Sequence, residues 1–159
     1  MKAAGATSLQ NGVWVLPYSP EQEKIAQDLQ VYVEQQGGAS TVFIASALRS
    51  EAEAHILRLF QADRAEEYHE FIEQCNAFLQ EIDMEIERRN FSFAEFEENE
   101  QNLNKLDIWL NKIRSRDFAA APQAAEGENL LEKCRQALAE FAEQVYRSDG
   151  RVQDEDSAN

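Results

Sequence analysis

The helical period of the apolar residues from about residue 50 onward constrains the fold more than any other feature of this sequence. Between Ile56 and Ile86 most steps from one apolar residue to the next are three, four or one, as an amphipathic helix requires. Two later stretches, 93–113 and 130–146, repeat this period. Most of the chain is therefore predicted to be helical, and only the first 48 residues remain for a sheet.

Local signals divide this helical part. The polar run "QADRAEE" at 61–67 predicts a kink or a break into two helices. Ser92 and Glu95 form a capping box, and Phe91 and Phe96 have the spacing of a hydrophobic staple, so a helix is predicted to begin there. A last helix is predicted from about 128 to 147.

The opening "SLQNGVWVLPYSPEQ" allows two interpretations. In the first, Asn11-Gly12 forms a two-residue type I′ turn between strands Thr7–Gln10 and Val13–Leu16. In the second, the run is one strand with a bulge at Gly12. Both place strand structure near residues 7–17.

A helix and a second strand are predicted to follow. Ser19 is a candidate N-cap with Pro20 at the first helical position, and Gly37-Gly38 suits a helix stop, so a helix is expected over 20–36. The run Val42–Ile44 predicts a buried strand near 40–46.

The predicted fold class is therefore α+β and mostly α. A small partial sheet, with strands near 7–17 and 40–46 and a helix over 20–36, precedes a bundle of three to four long antiparallel helices. The expected domains are an α/β unit at 1–48, a helical bundle packed on it at 49–147 and a disordered acidic tail at 148–159.

Charge narrows the range of functions. The chain has 30 acidic against 15 basic residues and a formal net charge of −15, which disfavours autonomous binding to nucleic acid. No apolar run approaches the roughly 18 residues of a membrane span, and no signal segment opens the sequence. A cytoplasmic protein with no membrane partner is expected.

Neither metal nor catalytic chemistry is predicted. Glu66-x-x-His69 would place a carboxylate and an imidazole on one helical face, as in di-iron bundles, but the second copy is missing because Ala52 precedes His55. Cys75 and Cys134 fall on apolar helical faces and are expected to be buried, unreactive free thiols. We therefore predict no catalytic residue, no metal site and no cofactor.

One basic cluster stands out, formed by Lys112, Arg114 and Arg116 in "NKIRSRDF". Cations at the end of a helix complement its dipole, and the same explanation applies to Arg88 and Arg89. The alternative is a contact for an anion or for DNA, so these three residues are the candidate site.

Four segments in this order resemble the N-terminal domain of the ChrB family of chromate-resistance regulators. They are "LQNGVWVLP", "DRAEEYHEF", "FSFAEFEENEQNLNKLDIWLNKIRSRDF" and "CRQALAEFAEQVY". The resemblance covers about residues 4–147 and is most specific over 91–118. It implies that the partial sheet is ferredoxin-like. It also implies that a further strand and helix precede the segment matching 1–7, so the sequence is expected to start late, and that a C-terminal chromate-resistance domain is absent.

The resemblance implies a function as well. A non-enzymatic regulatory or accessory protein of chromate resistance is expected, acting in the transcriptional control of chromate efflux. The expected partners are a ChrB C-terminal-type domain or a second copy of the chain in a homodimer, with DNA bound only weakly in this form. The alternative is an acidic helical scaffold for protein interactions with no DNA or chromate contact of its own.

Overall fold

The structure is a computed structural model that describes residues 1–156, and residues 151–156 only through their backbone. It is 71% helical and confirms the predicted α+β, mostly α class. After a short 3₁₀ turn at Lys2–Ala4, the elements follow in this order: β1 (Thr7–Gln10), β2 (Val13–Val15), α1 (Pro20–Gln35), α2 (Ser50–Arg88), α3 (Phe93–Arg114) and α4 (Ala124–Asp156).

The opening segment is a hairpin, so the first of the two interpretations is confirmed. β1 and β2 pair antiparallel, with Thr7 opposite Val15 and Gln10 opposite Val13. The predicted turn type is wrong: Gly12 has φ 78°, but Asn11 is not among the described residues with positive φ, and a type I′ turn needs both. The register slips between Ser8 and Gln10, so the irregularity lies at Leu9 and not at Gly12.

The predicted strand near 40–46 is not a strand in the structure. Residues 38–47 have no assigned helix or strand, and the sheet of the described residues contains β1 and β2 alone. Phe43 and Ile44 are 82% and 70% exposed, so the burial expected for them is also wrong. An apolar run predicts burial only where another element covers it, and none of the described strands pairs with this segment.

Helix α1 begins as predicted but has no core face. Ser19 caps it by accepting a hydrogen bond from the Gln22 N–H at 3.2 Å, and Pro20 is its first residue. The helix ends at Gln35, just before Gly37 with φ 79°. No residue of α1 is buried.

Helix α2 runs without a break through 61–67, where a kink or a break was predicted. The chain nevertheless divides there into two compact units: one comprises 1–64 with 116–121, and the other 65–115 with 122 onward. The domain bounds given by the sequence, 1–48, 49–147 and 148–159, stay a prediction.

In the first unit the hairpin contacts the part of α2 that belongs to this unit, near Asp63. The buried Thr7 donates its hydroxyl hydrogen bond to Asp63 Oδ2 at 2.7 Å, and Gln61 Nε2 donates to the Ala119 carbonyl at 3.1 Å. The Phe60 and Phe118 rings meet edge to face, with centroids 6.2 Å apart.

The second unit is built from the rest of α2 with α3 and α4. Its α3 starts at the predicted cap, where Ser92 Oγ accepts a hydrogen bond from the Glu95 N–H at 3.3 Å. Its core consists of buried apolar residues from all three helices: Tyr68, Phe71, Cys75, Phe78, Ile82, Leu106, Leu110, Ile113, Leu131, Cys134, Leu138, Phe141 and Val145.

Contacts between rings and between charged groups fix the helix directions in this unit. Phe93 at the start of α3 packs on Tyr146, with ring centroids 5.5 Å apart, whereas Arg114 at its end pairs with Glu128. Helices α3 and α4 are therefore antiparallel, as predicted.

Helix α4 extends beyond its predicted end near Arg147 and continues to Asp156. It thus enters the segment 148–159 that the sequence predicts to be a disordered tail, whose last three residues, 157–159, lie outside the described residues. None of the helices within the described residues combines the length and the apolar character that a bilayer crossing requires.

Candidate functional site

The candidate basic cluster begins in the last turn of α3, which contains Lys112 and Arg114. Arg114 Nη1 lies 3.2 Å from Glu128 Oε1 in the first part of α4, and both side chains are about half exposed. The antiparallel packing of α3 and α4 produces this ion pair, because it brings the end of one helix beside the start of the next.

A second ion pair lies one to two turns further along the same helix pair. Arg135 of α4 bonds to Asp107 of α3 and also pairs with Glu132, whose Oε2 lies 3.1 Å from Arg135 Nη1. The hydrogen bonds that Arg135 donates, first to Asp107 and then to Glu132, raise the pKa of its guanidinium above the usual value. Arg135 is therefore held in place as a cation by two carboxylates.

These residues line a groove of about 240 Å³ between α3 and α4. Its walls contain Arg114 and Arg135 as cations and Asp107 and Glu128 as anions, with Leu110 and Leu131 at its base. Each arginine is paired with a carboxylate, which offsets its positive charge. An anion entering the groove would meet Asp107 and Glu128 beside the two arginines, and repulsion by these carboxylates weakens its binding.

Lys112 and Arg116, the other two candidate residues, also have interaction partners. The Lys112 side chain is exposed on α3, and its carbonyl accepts a hydrogen bond from the Ser115 hydroxyl at 2.9 Å. Arg116 follows the end of α3 and belongs to the other compact unit, where its stem packs against Gly5. The anion or DNA role of the three residues stays a prediction.

The Glu66 and His69 pair lies on the surface of α2, beside a shallow groove of about 410 Å³ that Glu70 and Gln123 also line. His69 Nε2 is 3.3 Å from Glu73 Oε1, and both side chains are largely exposed. The described residues contain no group of three or more His, Cys, Asp or Glu side chains placed to hold a metal ion.

The two cysteines are free and buried, as predicted, and their lack of reactivity stays a prediction. The sequence did not show that they meet: the Cys134 thiol donates to the Cys75 carbonyl at 3.5 Å, across α4 and α2. The pKa of Cys75 is raised far above its usual value, first by the hydrogen bond with Cys134, then by burial and by the negative charge that a Cys134 thiolate would carry. Only their shared helical spacing in the sequence hinted at this contact.

Taken together, these observations define an α+β protein of mostly helical type, with a surface ion-pair network between α3 and α4. The model of the family "Protein ChrB, N-terminal" matches residues 1–152. The chain belongs to this family, which confirms the resemblance and associates the protein with chromate resistance. No curated protein and no solved structure matches the chain.

Proposed function

We propose that this protein is a non-enzymatic regulatory or accessory protein of chromate resistance that acts in the transcriptional control of chromate efflux. The observation that supports this proposal is the family match, which spans residues 1–152 and hence nearly the whole chain. The charged side chains at the α3–α4 groove are paired with one another, which supports a structural role for them.

Contact with DNA is the weakest step of this function, because a net charge of −15 repels the phosphate backbone. A local basic surface must then supply the contact, and Lys112, Arg114 and Arg116 are our candidates for it. Since Arg114 is paired with Glu128, DNA binding costs the breaking of an existing ion pair. We therefore expect weak binding that is lost as salt rises.

A gel-shift titration with the promoter fragment of a chromate-efflux gene tests the DNA contact. At about 50 mM salt the wild-type chain should retard the fragment, and the triple variant Lys112→Ala/Arg114→Ala/Arg116→Ala should need at least about tenfold more protein. Deleting the gene that encodes this protein should change the response of the same promoter to chromate in a reporter strain. No retardation together with an unchanged promoter response would contradict the regulatory proposal.

A matched control separates a local contact from net charge. Lys24, Arg49 and Arg58 are exposed in the structure, and replacing all three by alanine removes the same number of positive charges elsewhere. This control should weaken retardation much less than the first triple variant does. An equal loss in both variants would show a charge effect without a site at the end of α3.

A second candidate function is an acidic scaffold for protein interactions without DNA or chromate contact. The observation in its favour is that α1 has no buried residue, so a full helix of the chain is left with unused packing surface. Chemical cross-linking in cells, followed by mass spectrometry, tests it. This function would be favoured over regulation by two results together. Lys24 of α1 would be cross-linked to another protein, and the efflux promoter would respond to chromate in the same way with and without the gene for this protein.

A further inference from the structure

The segment of residues 38–47 has a non-helical main chain with which no strand pairs in the described part of the molecule. It belongs to no helix and no strand, and the described sheet contains only β1 and β2. Its first three residues are tied to α1 by two hydrogen bonds, from the Gly38 N–H to the Val33 carbonyl at 2.9 Å and from Gln30 Nε2 to the Ser40 carbonyl at 3.2 Å. A main chain whose N–H and C=O groups lack a strand partner is a template for another strand.

The side chains of this segment are apolar and exposed. Phe43 is 82% exposed, Ile44 70% and Val42 41%, and Leu48 just beyond them is fully exposed. Four large apolar side chains within seven residues form a patch that water solvates poorly, and such patches on a protein surface mark interaction sites.

The segment also differs from the rest of the chain in charge. No charged residue occurs from 35 to 48, between Glu34 and Arg49, although 28% of the chain is charged and its net charge is −15. Two copies of so acidic a protein repel one another over most of their surfaces. At this segment they can meet without bringing carboxylates together.

We propose that residues 41–48 form a homodimer interface, in which residues 41–47 pair antiparallel with the same residues of a second copy and Leu48 adds to the apolar contact. An identical copy offers what the segment lacks: a main chain without a strand partner, apolar side chains and no charge. Antiparallel pairing of one edge of the segment about a two-fold axis is self-complementary, so each copy satisfies that edge of the other. This inference does not depend on the proposed regulatory function.

The size of the patch sets the expected strength. With roughly 150–200 Å² for each large side chain, the exposed parts of the four residues amount to about 500 Å² on each copy. Stable dimers bury about 800 Å² or more on each partner, so this contact lies at the small end. We expect association at micromolar and not at nanomolar concentrations.

Analytical ultracentrifugation of the whole chain from about 5 to 500 µM tests the proposal. The sedimentation coefficient should rise from the monomer to the dimer value and then stay constant. Phe43→Asp should weaken association at least about tenfold, because each copy then brings a negative charge to the interface and the two charges repel one another. Phe43→Leu should retain it. Since Phe43 is 82% exposed, neither variant should change the helical circular dichroism.

Two further variants distinguish strand pairing from non-specific hydrophobic association. Ile44→Pro removes a main-chain donor from the segment and should also abolish the dimer. Ile108→Asp introduces the same charge at an exposed apolar residue of α3 and should leave association unchanged, since Ile108 lies outside the segment and is 48% exposed.

Four outcomes would overturn the proposal. The first is a chain that stays monomeric up to about 500 µM. The second is a dimer that survives both Phe43→Asp and Ile44→Pro. The third is association that continues past two chains, because it would show open-ended stacking of strands. The fourth is a monomeric chain that binds a different protein through this segment, because it would assign the segment to a hetero-partner.

Discussion

Gly5 shows at the scale of one residue how a glycine can be required by both conformation and space. It has φ 81°, and a Cβ atom built on it would lie 2.7 Å from Phe118 Cε2 and 3.0 Å from Arg116 Cβ. Phe118 cannot simply move aside, since its ring also packs edge to face on the buried Phe60. The close approach of the main chain to this ring is possible only without a side chain.

We therefore predict that Gly5→Ala destabilises the protein by roughly 3 kcal/mol, from the left-handed backbone and the overpacking together. Gly12→Ala is the matched control. Gly12 has nearly the same φ, 78°, but a Cβ atom added to it would have no neighbour within 4 Å, so about 1 kcal/mol is expected. Urea unfolding followed by circular dichroism measures both changes. Equal losses in the two variants would show that the contact with Phe118 adds nothing.

The paired thiols give a second prediction at this scale. Because Cys75 and Cys134 are both fully buried, a reagent cannot reach either sulfur while the protein is folded. In native buffer at pH 8 both thiols should react with Ellman's reagent at least about 100-fold more slowly than in denaturant. Two fast-reacting thiols in the native protein would contradict the buried contact, and the denatured sample serves as the count of total thiols.

The burial of these cysteines could be predicted from the sequence, but their contact could not. Burial follows from the local spacing of apolar residues on one helix, which the sequence shows directly. The contact joins residues 59 positions apart and depends on how α2 and α4 pack. The same limit applies to Arg114, whose partner Glu128 could not be recognised among 30 acidic residues.

At the scale of elements, the two capped helices differ in what their caps stabilise. Ser92 caps α3, which buries Asn99, Leu106, Leu110 and Ile113, whereas Ser19 caps α1, in which no residue is buried. Unfolding of a helix without buried residues is local, because little packing is lost with it.

We predict that Ser92→Ala lowers the global free energy of unfolding by about 1 kcal/mol. Ser19→Ala should leave the global free energy of unfolding nearly unchanged. It should speed hydrogen exchange of the α1 amides about fivefold, because the loss of about 1 kcal/mol then affects only the local opening of α1. Urea unfolding gives the global values, and amide exchange with residue resolution gives the local ones. A global loss of similar size in both variants would show that α1 unfolds together with the bundle.

Signals that act within a few residues made these elements predictable. Ser19 with Pro20, Ser92 with Glu95 and the Gly37 stop set helix ends through local hydrogen bonds and backbone conformation, and the structure has those ends. The strand near 40–46 failed for the opposite reason. A strand exists only when a neighbouring strand supplies hydrogen bonds, and the composition of Val42–Ile44 contains no information about that neighbour.

At the scale of the whole molecule, the surplus of acidic residues governs what can approach the protein. The net charge is −15, and several of the basic residues are paired with carboxylates, such as Arg135 with Asp107 and Arg147 with Glu143. The surplus of carboxylates makes the field of the molecule negative, and a negative field slows the approach of anions and weakens their binding at low ionic strength.

This field bears on chromate, the anion with which the family is associated. Chromate is a dianion near neutral pH, and a protein holds such ions through converging arginine donors and free N–H groups. Arg114 is the member of the candidate cluster that lines the α3–α4 groove. Its Nη1 atom is already paired with Glu128 Oε1 at 3.2 Å. Exposed charge contacts of this kind contribute at most about 1 kcal/mol each, which limits binding to roughly the millimolar range.

We therefore predict that the chain alone gives no saturable heat when titrated calorimetrically with micromolar chromate. Glu128→Gln removes the competing carboxylate and should strengthen the weak signal at millimolar chromate a few-fold, without creating micromolar affinity. Sulfate, a dianion of the same shape, should behave in the same way in both proteins, since a contact made through charge alone does not distinguish the two anions. A micromolar chromate isotherm that disappears in Arg114→Ala/Arg116→Ala would contradict the prediction and would place a sensing site at the end of α3.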